Sequence, residues 1–282
     1  MAHHSQQDVN MPDSPLFESL KRAADDPAAR PEFYRRLLAA EVFVIGHGDG
    51  PGEGRSTVPA GAHLSIQHWQ NAEGESVIPF FTDLEALQRA IDEEKSYLGL
   101  PARSLFEMTA GTRLVLNPRS DYGKEFHPEE IRSLLDNGSN QTPQTRRAEA
   151  DTDVLLGQPS DYPTAMVEAL QRLLPGYPEV EAAYLCLMQE GGDAPRQSLL
   201  VGLRGDGLVR ARHAAGSVIA DTAPEGRAVD LIEIAGDAEE GGVAGYLRDE
   251  TTPFYQRRAV AGVPPDAPRR PWWRRLLGGD RD

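Results

Sequence analysis

The 282-residue chain sets 44 Asp and Glu against 29 Lys and Arg, a formal net charge of −15, and such a field repels polyphosphate, so nucleic acid is excluded as a main partner. Its 39% apolar content lies above the disordered range, and the length suits two ordinary domains, each with its own core. The single cysteine, Cys186, excludes a disulfide framework and a cysteine metal site and fits a reducing compartment.

Residues 1–13 predict a disordered start, without the basic and apolar regions of a secretory signal. No run of about 18 apolar residues occurs, so no helix is expected to span a bilayer. A cytoplasmic protein is the expectation. Ser14 and Pro15 read as cap and first position of a helix with Leu16, Phe17 and Leu20 on one face. A second helix is expected over Glu32 to Ala39, with Phe33, Tyr34, Leu37 and Leu38 at helical spacing. Val42 to Ile45 reads as a buried strand, and Gly46 to Gly61 as a glycine-rich loop. A dinucleotide fingerprint fails there, because its third glycine would be Pro51, Glu53 or Arg55, and Asp49 and Glu53 would repel phosphate. Leu64 to Trp69 and Val77 to Phe81 predict an antiparallel hairpin around Gly74, and Thr82 with Glu85 a capping box for the next helix. A short helix from Ala102 to Met108, a strand from Arg113 to Leu116 and a helix opened by His127 and Pro128 complete a first domain over 14–137.

Residues 138–153 are rich in turn formers and poor in bulky apolar residues, which predicts a flexible linker. The second domain, 154–258, is read as strand 154–156, helix 163–174, strands 182–188 and 198–204, helix 206–220, strand 229–234 and a short helix over 243–248. This irregular alternation with hairpins predicts an α+β class: two small mixed sheets covered by helices, followed by a flexible basic and aromatic tail, 259–282.

Chemistry-bearing patterns are sparse. His63 and His68 fall on opposite faces of a strand and no ligand set completes them, so no metal is expected. Cys186 sits inside the apolar run AAYLCLM, where a core role is expected. No serine lies in a nucleophile elbow, so no catalytic residue and no cofactor are assigned.

The run NPRSDYGKEF, residues 117–126, supports two readings. Asn117 and Pro118 end a strand, Asp121, Tyr122 and Gly123 can turn, and Lys124 and Glu125 lead into the helix cap. Alternatively Arg119, Ser120, Asp121, Tyr122 and Lys124 bind a ligand or partner, with Arg119 or Lys124 on the carboxylate of a zwitterion and Asp121 on its ammonium. Phe254 and Tyr255 are expected to pin the chain's last folded segment to the core, with Arg257 and Arg258 solvated or paired. In the tail, Arg269, Arg270, Arg274 and Arg275 surround Trp272 and Trp273, and in a helix those tryptophans would share a face with Leu276 and Leu277. So short a segment folds only against something. Three targets suit it: the chain's own acidic surface, a groove on a partner protein, or weak contact with an anionic membrane surface.

With VIPFFTDLEALQRAI upstream and HPEEIRSLL downstream, NPRSDYGKEF resembles the N-terminal domain of the enhanced serine sensitivity protein (SseB) family; VLLGQPSDYPTAMVEAL resembles that family's C-terminal domain. The resemblance covers roughly 30–137 and 153–258 and stops short of the tail. It implies a two-domain bacterial cytoplasmic protein associated with altered sensitivity to serine, and it brings no catalytic residues. The expected function is that of a non-enzymatic accessory or interaction protein; the alternative is an amino-acid or small-metabolite sensing module binding near the 117–126 loop.

Overall fold

Helix α1 (Pro15–Asp25) starts where the sequence places it, with the Phe17 amide donating to Ser14 Oγ at 3.2 Å. The computed structural model describes residues 14–48, 64–140, 154–191, 196–234 and 242–257. A 3-10 turn at Pro27–Ala29 leads into α2 (Arg30–Ala39) and then β1 (Glu41–Gly48). The alternation of β1 decides which face each side chain serves. Val42 and Val44 enter the main core beneath α1 and α2, while Phe43 and Ile45 face the other side.

The chain continues through β2 (Leu64–Ile66), β3 (Trp69–Gln70), β4 (Ser76–Phe81), α3 (Leu84–Ala90), β5 (Tyr97–Pro101), α4 (Ala102–Met108), β6 (Arg113–Leu116), β7 (Lys124–Phe126) and α5 (Pro128–Asn137). Seven strands form one mixed sheet in the order β2-β1-β4-β6-β7, with β5 also on β1 and β3 on β4; β4 and β6 run parallel. Helices α1, α2, α4 and α5 bury Phe17, Phe33, Leu37, Phe106 and Leu134 on one face, where the rings of Phe80, Phe106 and Phe126 stand 5.7–5.9 Å apart. Among the described residues, α3 is the helix that covers the other face, over Ile45 and Phe81.

Two local expectations are corrected. The hairpin around Gly74 forms only where Trp69 and Gln70 pair with Val77 and Ser76, because the chain leaves the strand at Gln67 and His68. Residues Leu64–Ile66 pair with Gly46–Gly48 of β1 instead. Only glycine allows this approach, since a Cβ on Gly46 would lie 2.2 Å from the Ser65 carbonyl oxygen. The capping box does not form: Asp83, not Thr82, caps α3, accepting the Ala86 amide at 2.8 Å, and Ala86 at N3 offers no reciprocal acceptor. A carboxylate is the stronger acceptor at a helix N-terminus, and Thr82 is engaged elsewhere, as shown below.

The second domain runs β8 (Val154–Gly157), α6 (Thr164–Leu173), β9 (Val180–Glu190), β10 (Arg196–Gly205), α7 (Val209–Thr222), β11 (Ala228–Ile234), α8 (Gly242–Asp249) and β12 (Tyr255–Gln256). Its sheet has the order β11-β10-β9-β12, with β8 also on β9; β10 and β11 run parallel with α7 as their crossover. Helices α6 and α7 cover one face and the short α8 the other. The protein is thus α+β, two mixed sheets clothed in helices, as its sequence predicts.

The two domains touch through the first domain's helical layer. Ala28 packs against the core of the second domain, Arg30 pairs with Asp221 at 2.7 Å, and Asp26 with Arg172 at 3.2 Å. Asn140, in the stretch read as linker, hydrogen-bonds Ser217 of α7; residues 141–153 lie outside the described residues.

Candidate functional site

The loop between β6 and β7 is built on Asn117, which is fully buried with φ 47°. Asparagine tolerates this left-handed backbone better than most residues. Its amide donates to the Phe80 carbonyl at 2.8 Å; its side-chain Oδ1 accepts the Thr82 amide at 2.9 Å and its Nδ2 donates to Thr82 Oγ1 at 3.0 Å. Thr82 Oγ1 in turn donates to Asp83 Oδ2 at 2.9 Å, which also accepts from Ser14 Oγ at 2.9 Å. One polar network therefore ties the start of α1, the cap of α3 and the 117–126 loop together. At Gly123 an added Cβ would lie 3.0 and 3.1 Å from the Leu116 and Asn117 carbonyl oxygens, so this turn requires glycine. The final residues of the run form β7 rather than a simple lead into the helix cap.

The polar residues assigned to ligand recognition spread over both faces of the sheet. Arg119, exposed and with φ 65°, donates to the Ala90 carbonyl at 3.2 Å, pairs with Asp92 at 3.3 Å and lies over the Trp69 ring at 5.6 Å, on the α3 side. Tyr122 packs edge-on against Phe17 on the opposite side, with Lys21 near both rings. Lys124 pairs with Glu130 at 2.9 Å and sits over Phe126 and Tyr34. Ser120 Oγ accepts the Tyr122 amide at 3.3 Å, and Asp121 is exposed. Arg119 and Lys124 do not converge on one point.

Lys124 lines one concavity, and Arg119 is tied to the rim of another through Asp92. Gly123 and Lys124 reach a cleft of about 310 Å³ between the domains, walled by Arg30, Tyr34, Asn140 and Asp221. Burial, then the carboxylates of Glu130 and Asp221, push the Tyr34 phenol well above its ordinary range, so it remains a donor there. Sequence reasoning missed Arg30, Asn140 and Asp221, which come from distant segments brought together only by domain docking. On the other face, Asp92, the partner of Arg119, lines a groove of about 470 Å³ between α3 and β5. Its apolar floor is Leu84, Leu87, Ile91 and Tyr97, and Glu93, Glu94 and Lys95 complete the rim. The acidic run 92–94 was a visible signal that periodicity alone left unused.

Cys186 is fully buried in the second domain's core, and that burial pushes its thiol up to about 11. Phe254 and Tyr255 pack against the second core as expected, and Arg257 donates to the Val180 and Tyr177 carbonyls at 3.0 and 2.6 Å. His68 Nδ1 lies 2.9 Å from Ser76 Oγ. Among the described residues no group of three or more His, Cys, Asp or Glu is placed to hold a metal ion, and no helix is long and apolar enough to cross a membrane. The glycine-rich stretch 49–61, His63, Arg258 and the tail residues 269–277 lie outside the described residues.

Fold and loop together define a two-domain α+β protein whose distinctive hairpin loop is anchored from within. Residues 16–133 match the SseB protein N-terminal domain and residues 148–257 the SseB protein C-terminal domain. The chain is 36% identical over 244 residues to Protein SseB of Escherichia coli (strain K12), covering 86% of this chain and 92% of that protein, and matches Protein SseB of Shigella flexneri to the same extent. The chain belongs to the SseB family. No solved structure gives a significant match.

Proposed function

We propose that this protein is a non-enzymatic accessory or interaction protein of the cytoplasm, whose folded domains dock a partner protein and whose tail adds a second contact. The observation that carries this reading is how side chains are committed. Most polar groups of the 117–126 loop serve internal bonds, whereas Tyr97, Leu155 and Tyr162 stand exposed, Tyr97 beside the carboxylates of the α3 groove. Exposed aromatic and aliphatic residues beside charge suit recognition better than chemistry. Affinity capture from lysate with the full chain and with a chain ending at Pro268 tests it: a protein retained by the first and weakened in the second is the expected result. Identical partner lists, or none, would remove the recruiting role of the tail.

The interdomain cleft favours a second reading, a module that binds an amino acid or similar small metabolite. Lys124, Arg30 and Asp221 line a space at the small end of ligand pockets, where a zwitterion would exchange for the existing Arg30–Asp221 and Lys124–Glu130 pairs. A ligand at a hundred times its dissociation constant stabilises the fold by about 2.7 kcal/mol, a melting shift of roughly 5–11 °C for a chain this size. A thermal-shift series with serine and related amino acids that leaves the melting point unmoved would sink this reading.

A further inference from the structure

We infer that residues 269–277 dock within the same chain into the acidic groove between α3 and β5, as an intramolecular latch over that surface. The inference rests on reading the tail as a contact segment, and it names the surface that receives it. The chemistry of the two is complementary. The groove offers an apolar floor of Leu84, Leu87, Ile91 and a half-exposed Tyr97, rimmed by Asp92, Glu93 and Glu94. The tail offers Trp272, Trp273, Leu276 and Leu277 among four arginines and no acid.

The rim carboxylates remain open to a further cation. Asp92 and Glu93 side chains are 90% and 72% exposed although each has one partner, Arg119 and Lys95, and Glu94 makes no ion pair among the described residues. Arginine already binds at this end of α3: Arg119 donates to the Ala90 carbonyl, pairs with Asp92 and lies over Trp69. The proposed contact repeats this combination of guanidinium, carboxylate and indole in a second layer.

Reach permits it. The last described residue, Arg257, is held to Tyr177 and Val180. The intervening stretch 258–268 spans about 40 Å when extended and averages roughly 20 Å, against a small-domain diameter of about 30 Å. A near-extended stretch exceeds one domain diameter, and the latch requires that extension, because α3 lies on the face of the first sheet away from the second domain. A short segment that cannot hold a helix alone gains order only on such a surface.

Hydrogen exchange on the full chain tests the latch, comparing wild type with Trp272→Ala/Trp273→Ala and with Asp92→Asn/Glu93→Gln/Glu94→Gln, the last three at exposed positions. The tryptophan variant is expected to speed exchange over residues 91–97 about fivefold, and the rim variant to speed it over 269–277 by a similar factor. Both differences should fade at about 1 M salt, where the screening length is roughly 3 Å. Unchanged exchange over 91–97 in the tryptophan variant overturns the inference. So does protection that grows with protein concentration, which would make the occupant a second copy, or tail protection seen only with anionic vesicles. If capture fails while this protection stands, the partner reading falls and the latch survives; the opposite pair of results removes the latch alone.

Discussion

Asn117 concentrates more structural consequence than any other residue of the loop. It satisfies the Thr82 amide from 35 positions away while holding a left-handed backbone that most residues resist. Replacing it with alanine strands a buried donor and raises backbone strain, so Asn117→Ala should cost about 2–4 kcal/mol, read as a lower urea midpoint. Sequence reading placed Asn117 at the end of a strand but had no means of seeing its partner, because the contact joins segments separated by a helix-containing crossover. A second residue-scale expectation concerns acid. Hydrogen bonds from Arg35 and then Arg36 hold the Glu32 carboxyl at about 2, against 4.5 in the unfolded chain. The folded value is the lower one, so the stabilisation is complete above about pH 4.5 and drains away as pH falls towards 2. The group is partly exposed, so it supplies no more than about 1 kcal/mol. Glu32→Gln should be less stable than wild type at pH 7 and converge with it near pH 2, in melting curves followed by circular dichroism.

At the scale of elements, periodicity located most helices and the long strands, because their buried residues recur at helical or alternating spacing. Leu16, Phe17 and Leu20 of α1 and the alternation along β1 are examples. The strands β5 and β7 escaped. Tyr97–Pro101 offers only Leu98 and Leu100 to the core and β7 is three residues long, so each apolar pattern is too short to mark a strand; neighbouring strands recruit both. The misplaced cap of α3 has a similar origin. Thr82 and Asp83 both satisfy local capping rules, and only the arrival of Asn117 at Thr82 decides between them. Asp83→Ala removes the cap and the anchor for Ser14, and should cost about 1–2 kcal/mol in chemical denaturation. Thr82→Ser, which keeps the hydroxyl, should cost less.

At the scale of the whole molecule, a small set of contacts joins the two cores: Arg30 with Asp221, Asp26 with Arg172, and Ala28 against the second domain. Interfaces of this kind couple domains without fusing their cores. Arg30→Ala combined with Arg172→Ala should split a single calorimetric unfolding transition into two, whereas either substitution alone should not. The same docking creates the interdomain cleft, so the double variant should also abolish any melting shift produced by a cleft ligand.

By itself the sequence determined the α+β class, the two-domain division into SseB-like halves, and the burial of Cys186. These follow from composition, from spacing along one chain and from motifs contiguous in it. Only the tertiary structure decided that the loop's charged residues part company, Arg119 towards the α3 groove and Lys124 towards the interdomain cleft. The alternation of a strand tells that neighbouring side chains diverge, but which face carries which helix, and which distant residue waits there, is set by packing between segments that the sequence keeps far apart.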